Sequence, residues 1–231
     1  MRAWHTLSRN GDFVYHAVRY SFMKKITAIG FDWSGVIVQY PAGNFNEAAA
    51  ALLRVATDTF RRAYFLHSHL VNKGTGVKGY AEATEMWRRI LAELGKEDAL
   101  SSFMDFIKGR PEAVADQQMI ELIRELRNAG WKVGLFSNHS IRGARAFRDG
   151  GYEALFDAAL FSSDVGYMKP EPEAFLMLAE RLGVPVTELA FIDDSERSLS
   201  TASIVGYTPI LFTDRDALIG QLKNIGVTLS L

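Results

Sequence analysis

The chain has 231 residues, enough for one large domain or a core with a smaller insert, and 48% of them are apolar, so a substantial core can form. Its formal net charge is −1, which leaves no basic surplus for nucleic acid or an acidic membrane surface. Cysteine is absent, which excludes disulfides, thiolate metal sites and cysteine nucleophiles, and no apolar run approaches the roughly 20 residues of a membrane helix.

Residues 1–22 mix Arg2, Arg9 and Arg19 with Trp4, Phe13 and Tyr15 and lack the uninterrupted apolar segment of a signal peptide. Met23 stands directly before Lys24-Lys25 and the first strand. The compact fold is therefore expected to start at Met23, with 1–22 an N-terminal extension outside the core and the protein soluble and cytoplasmic.

Ile26 to Phe31 reads as a buried parallel strand, and it delivers a carboxylate, Asp32, where the strand should end. Gly35 then allows a tight turn. From Asn44 onward the pattern is helical. Phe45, Ala48, Leu52, Val55, Phe60, Ala63 and Leu70 recur at mostly three- to five-residue spacings, and Lys73-Gly74-Thr75-Gly76 breaks the run. Ala83, Met86, Trp87, Ile90, Leu91 and Leu94 follow the 3.6-residue period, and a third helix carries Leu100, Phe103 and Ile107. No strand signal occurs between Asn44 and Gly109.

From Gln117 helices alternate with short strands. Met119 to Leu126 is a helical stripe, Trp131–Phe136 a buried strand, Ser140–Arg148 a helix and Ala158–Phe161 a strand. Pro172 opens a helix to Leu182, Leu189–Ile192 is a strand, Ser195–Val205 a helix, and Thr208–Phe212 a strand that Pro209 places at a sheet edge. Asp214 caps the last helix. The expected fold is α/β: a doubly wound, Rossmann-like parallel sheet from residues 23–41 and 111–231, with an inserted all-helical cap at 42–110. An insert at that edge of the sheet stands over the ligand crevice and is a candidate lid and substrate selector.

Polar groups collect at four predicted strand ends. Asp32 is the first. Ser137-Asn138 follows Trp131–Phe136 and can bind an anion with backbone N–H groups; a plain helix cap is the alternative. Lys169 sits in a segment stiffened by Pro170 and Pro172. Asp193-Asp194 ends an apolar strand, and adjacent acids there repel unless a cation or donor lies between them. A pair of hard oxygen ligands suits Mg²⁺; acids facing a helix N-terminus are the alternative.

Phe-Asp32-Trp-Ser34-Gly-Val, Phe-Ser137-Asn138, Lys169-Pro-Glu-Pro-Glu-Ala-Phe and Phe-Ile-Asp193-Asp194-Ser together resemble the four ordered motifs of the haloacid dehalogenase superfamily. The resemblance runs from about Ile26 to Phe212, in the branch with a helical cap after the first motif. It implies a Mg²⁺-dependent phosphatase acting on a small phosphorylated metabolite. Asp32 would be the nucleophile and form an aspartyl-phosphate. Mg²⁺ would be held by Asp32, Asp194 and the backbone carbonyl of Ser34, with Asp193 directly or through water. Ser137, Asn138 and Lys169 would bind the phosphoryl oxygens.

One position departs from the pattern. The family's phosphatases carry a second Asp, an acid and base, where this chain has Ser34. Such help is worth roughly 100- to 10,000-fold, so alkyl phosphates are expected to be cleaved slowly. Two alternatives follow: a metal-independent 2-haloacid dehalogenase, which three crowded carboxylates disfavour, and a non-catalytic phosphate-binding module, which Ser34 favours. Within the insert, Tyr40, Tyr64, His67, His69, Tyr80, Trp87, Arg61, Arg62, Arg88 and Arg89 are candidate substrate contacts. Whether the protein is a monomer or a homodimer is not readable from the chain.

Overall fold

A computed structural model describes residues 5–7, 13–15, 25–40, 43–73, 80–111 and 113–228; for 5–7, 13–15 and 80–82 it describes the backbone only. The strands in chain order are β1 (His5–Leu7), β2 (Phe13–Tyr15), β3 (Ala28–Phe31), β4 (Val38–Gln39), β5 (Val114–Ala115), β6 (Lys132–Ser137), β7 (Ala158–Phe161), β8 (Leu189–Asp193) and β9 (Thr208–Leu211). The helices are α1 (Phe45–Leu53), α2 (Thr57–His67), α3 (His69–Asn72), α4 (Tyr80–Glu93), α5 (Leu100–Gly109), α6 (Gln117–Asn128), α7 (Ile141–Asp149), α8 (Ser162–Val165), α9 (Pro172–Leu182), α10 (Ala202–Val205) and α11 (Arg215–Asn224).

Five strands form one parallel sheet in the order β7-β6-β3-β8-β9. β3 lies at its centre with all four residues buried, which is why its sequence is continuously apolar rather than alternating. β9 is an edge, where Pro209 removes a donor without breaking an inner ladder. Helices cover both faces. Apolar residues of α6, α7 and α11, such as Ile123, Phe147 and Leu222, pack with Ile29, Phe31 and Leu135. On the other face Phe175 and Leu178 of α9 pack with Ala28 and Phe191. This is the doubly wound architecture read from the alternation of elements.

The chain leaves β3 for β6 and β7 on one side and reaches β8 and β9 on the other. The order therefore reverses around β3, and a crevice opens at the carboxyl ends of β3 and β8. Asp32 and Asp193 stand there.

The insert is helical throughout its described residues. Asn44 caps α1 by accepting from the N–H groups of Asn46 and Glu47. α1–α5 enclose a separate apolar cluster that includes Leu53, Phe60, Trp87, Ile90 and Phe103. The single helical region expected up to Lys73 is three helices. Arg54 ends α1 in the left-handed conformation at φ 55°, a position where Gly or Asn would ordinarily be sought. The strands entering and leaving the insert pair antiparallel, Val38 with Ala115 and Gln39 with Val114. Two-residue strands carry too little periodicity to be read from sequence.

One helix is corrected. Ser195–Val205 was expected to be continuous, but the chain turns through Glu196–Thr201 and only Ala202–Val205 is α-helical. Asp193 Oδ1 accepts from the Ser195 N–H at 2.9 Å, and the Ser195 hydroxyl accepts from the Ser198 N–H. Side chains thus take hydrogen bonds that a regular helix would use otherwise. In the expected N-terminal extension, β1 and β2 pair antiparallel, while the boundary at Met23 lies outside the described residues. No described helix is long and apolar enough to cross a membrane.

Gly30 in the central strand is set by packing. A Cβ there would meet Phe191 Cδ2 at 2.6 Å and Leu178 Cδ2 at 2.9 Å. The Phe191 ring is itself fixed edge-on against Phe175. Gly30→Ala should therefore destabilise the protein by about 1–3 kcal/mol through overpacking, read as a lower denaturation midpoint in urea.

Candidate active site

The site is built from strand ends. Asp32 follows β3 with its N–H bonded to the Ile192 carbonyl of β8 at 2.9 Å, so sheet pairing fixes its backbone. Its Oδ1 accepts from the Trp33 N–H at 2.7 Å and from Lys169 Nζ at 2.9 Å. Lys169 also donates to Asp193 Oδ2 at 2.6 Å. The Lys169 and Asp193 side chains are each 1% exposed. Lys169 is thus an ammonium shared by two carboxylates, with its charge also 5.2 Å from the centre of the Phe191 ring.

Asn138 positions that lysine. Its Nδ2 donates to the Lys169 carbonyl at 2.9 Å, and its Oδ1 accepts from the Lys169 N–H at 2.8 Å. The Asn138 side chain is therefore committed to the Lys169 backbone, and the expected phosphate role falls to the backbone around Asn138. Ser137 ends β6 and is 1% exposed, and the cavity wall at this strand end is Asn138. The plain-cap alternative does not hold for Ser137: α7 is capped three residues later by Ser140, whose hydroxyl accepts from the Gly143 N–H.

Asp194 completes the group. One oxygen from each of Asp32, Asp193 and Asp194 lies within 4.8 Å of the others. Gly35, at φ 85°, makes room for it: a Cβ there would stand 2.3 Å from Asp194 Oδ2. Burial, followed by the Asp32 and Asp193 charges, pushes the Asp194 carboxyl up to about 7. Burial also raises Asp193, with Lys169 drawing it back and Asp32 adding to the rise. Lys169 is lowered by burial, but Asp193 and Asp32 outweigh that and hold it above its ordinary value. Carboxylates that resist ionising together, all with hard oxygen donors, fit a divalent cation such as Mg²⁺. Asp32, paired with Lys169 through Oδ1, and Asp194, which has no ion pair among the described residues, both line the cavity and would hold it.

Ser34 stands beside this group, and the Tyr40 hydroxyl donates to its Oγ at 2.9 Å. Burial raises the Tyr40 phenol, which keeps it protonated as a donor. A cavity of about 930 Å³ opens over Asp32 and Lys169 and is walled on the far side by the insert. Of the residues expected to contact substrate, Arg61, Arg62 and Tyr64 line it. Tyr40 and Trp87 line an adjoining cavity of about 670 Å³. Arg88 and Arg89 pair with Glu85 instead, and the side chain of Tyr80 is outside the described residues. Sequence reading missed Arg197 and Phe65, which line this cavity and stack on each other. The only signal for Arg197 was its place three residues after Asp194.

The model of the haloacid dehalogenase-like hydrolase family matches residues 26–206. The chain belongs to this family. A phosphatase of Mycobacterium tuberculosis is 26% identical over 220 residues, covering 88% of this chain and 97% of that one. A haloacid dehalogenase family enzyme of Bacteroides thetaiotaomicron, solved with magnesium and inorganic phosphate, shares the fold at a TM-score of 0.54 and 21% identity, over 84% and 98% of the two chains. An L-2-haloacid dehalogenase, RSc1362, shares it at a TM-score of 0.56 and 21% identity, over 81% and 86%. Fold alone thus spans phosphate and halide chemistry in this family, and the protein is a haloacid dehalogenase-like hydrolase on the strength of its sequence.

The raised Asp194 gives a pH signature. Its folded pKa, about 7, exceeds its ordinary value of 3.8, so the folded state holds the proton more tightly and loses stability as pH rises between them. A cation at Asp32 and Asp194 must displace that proton. The rise in Tm caused by millimolar Mg²⁺ should therefore be small at pH 5.5 and grow through pH 7 to 8, measured by scanning fluorimetry against an EDTA control. An equal rise at both ends would count against Asp194 as a ligand.

Proposed function

We propose that the protein is a Mg²⁺-dependent phosphatase of a small phosphorylated metabolite that works through an aspartyl-phosphate on Asp32. The observation that carries this reading is the Lys169 ammonium lying 2.9 Å from Asp32 and 2.6 Å from Asp193 at the floor of a cavity. Such an ammonium fixes one oxygen of the carboxylate nucleophile in place and offers a positive charge to an incoming phosphoryl group.

An Asp32 oxygen attacks phosphorus, the bond from phosphorus to the leaving oxygen breaks, and the leaving group departs as an anion that takes any proton it needs from solvent water. Water then attacks the phosphorus of the aspartyl-phosphate, inorganic phosphate leaves, and Asp32 returns as a carboxylate. A Mg²⁺ ion held by Asp32, Asp194 and the Ser34 backbone carbonyl would neutralise charge on the phosphoryl oxygens. Lys169 balances the same charge from the other side, and Asn138 holds its backbone in place. Positioning and charge stabilisation supply most of the catalysis in such a transfer.

The weak point is the proton. Ser34 and Tyr40 both present hydroxyls, and neither ionises near neutral pH. Substrates whose leaving group needs no proton, acyl and aryl phosphates, are therefore favoured over alkyl phosphates. The dehalogenase alternative would leave Asp32, Asp193 and Asp194 facing one another with a single ammonium among them, which is costly.

Acetyl phosphate and p-nitrophenyl phosphate should release phosphate only with Mg²⁺, and 2-chloropropionate should release no chloride. Asp32→Asn should lower phosphate release by ~10³-fold or more with an unchanged circular dichroism spectrum. Chloride release without metal would replace this reading with the dehalogenase. Ser34→Asp should raise alkyl phosphate hydrolysis by roughly 100-fold and change p-nitrophenyl phosphate hydrolysis far less. A uniform change across leaving groups would mean that another group already acts as the acid.

A further inference from the structure

Helix α2 has two working faces. Phe60 and Ala63 are buried in the apolar cluster of the insert. Asp58, Arg62 and Phe65, spaced four and three residues apart, share another side and line the cavity above Asp32. Asp58 is near Arg61, 3.7 Å away, and among the described residues Arg62 has no carboxylate partner. The opposite wall carries Arg197, in the turn that follows Asp194. Its guanidinium carbon lies 4.2 Å from the centre of the Phe65 ring, and among the described residues it forms no ion pair.

Two guanidiniums with no anionic partner among the described residues thus reach one cavity, one from the insert and one from the sheet domain. Glu196 is the one carboxylate at that level of the wall without an ion pair among the described residues, and the two arginines outnumber it. The phosphoryl group itself is served lower down, by Lys169. A solvated arginine is common and costs nothing. Here, however, Arg197 is pre-set by stacking on Phe65, and a planar fork in a fixed place is suited to a carboxylate or phosphate.

We propose that the substrate is a phosphate ester carrying a second anionic group, bound between Arg62 and Arg197 while its phosphoryl group sits at Asp32. This deepens the phosphatase reading and rests on it. The second anion bridges insert and sheet, so both must be in place before the substrate is held at both ends.

The test compares kcat/KM for phenyl phosphate with 4-carboxyphenyl phosphate and 1,4-phenylene bisphosphate, in Mg²⁺. The wild type should prefer at least one anionic ester by about 10-fold or more, the scale of a charged hydrogen-bonded contact. Which one it prefers tells carboxylate from phosphate. In Arg62→Gln and in Arg197→Gln the preference should fall toward unity, and Arg62→Lys should keep part of it. A wild-type ratio near one, or a preference untouched by both Gln variants, overturns the proposal while leaving the phosphatase reading intact.

Absence of turnover on all three esters would defeat the phosphatase reading instead. Calorimetry then decides the second-anion site separately. Phosphonoacetate binding tighter than methylphosphonate, with the difference lost in Arg62→Gln, supports it, and equal affinities overturn it.

Discussion

A single buried ammonium organises this molecule. Lys169 is almost wholly removed from water together with Asp193, and it also reaches Asp32. Moving such ions out of water costs several kcal/mol each, and their attraction repays it only with close geometry and full hydrogen bonding. Both conditions are met here: Lys169 has two carboxylates, Asp193 also accepts from Ser195, and Asn138 clamps the Lys169 backbone from both sides. A hydrophobic triad of the same volume would stabilise a sheet end as well or better. The exposed pairs of the insert, such as Arg88 and Arg89 with Glu85, are screened by solvent and fix nothing comparable. The cluster is better understood as charge held ready for a ligand than as a fastening of the fold.

The sheet order explains why that charge is reachable at all. β3 and β8 are neighbours at the reversal point, so the residues just past their ends face a crevice instead of a packed helix. The insert leaves immediately after β3 and returns before α6, and the β4–β5 pair draws its two connections together at the neck. Two contacts then tie it to the sheet. Lys73 donates to Glu171, which also accepts from the Met168 N–H beside Lys169. Arg197 stacks on Phe65. Both join the insert to segments flanking the acidic group, so a movement of the insert would be felt at Lys169 and Asp194 first.

The four strand-end motifs were legible because short, continuously apolar runs mark where the buried strands stop, and a polar residue there has few structural duties. Asp32, Lys169, Asp193 and Asp194 meet in one place for that reason. The role of Asn138 was not legible, since an amide that clamps a lysine backbone 31 residues away leaves no local pattern. The insert resisted for another reason. Helical spacing showed that Phe60 and Ala63 pack together, but it cannot say which of the other sides of α2 faces the sheet. Arg54, at φ 55°, broke a helix where sequence rules look for glycine. The turn after Asp194 read as helix because it lies between two strands and ends at Gly206, but the Asp193 and Ser195 side chains take its backbone hydrogen bonds instead.

Charge balance links the floor of the cavity to its mouth. Asp32, Asp193 and Asp194 carry more negative charge than Lys169 cancels, and burial first, then the neighbouring Asp32 and Asp193 charges, raise Asp194 to about 7. A floor in that condition repels a phosphate dianion. A divalent cation removes the excess, so on the proposed reading the metal must precede the substrate. The guanidiniums of Arg62 and Arg197, without an ion pair among the described residues, line the same cavity, where a cation at Asp32 and Asp194 would not satisfy them. On the proposed reading they draw an anion at any metal occupancy, whereas the floor accepts one only after its own charge has been neutralised. Attraction at the mouth and admission at the floor are therefore separate steps, governed by different residues, and only the second depends on pH near neutrality.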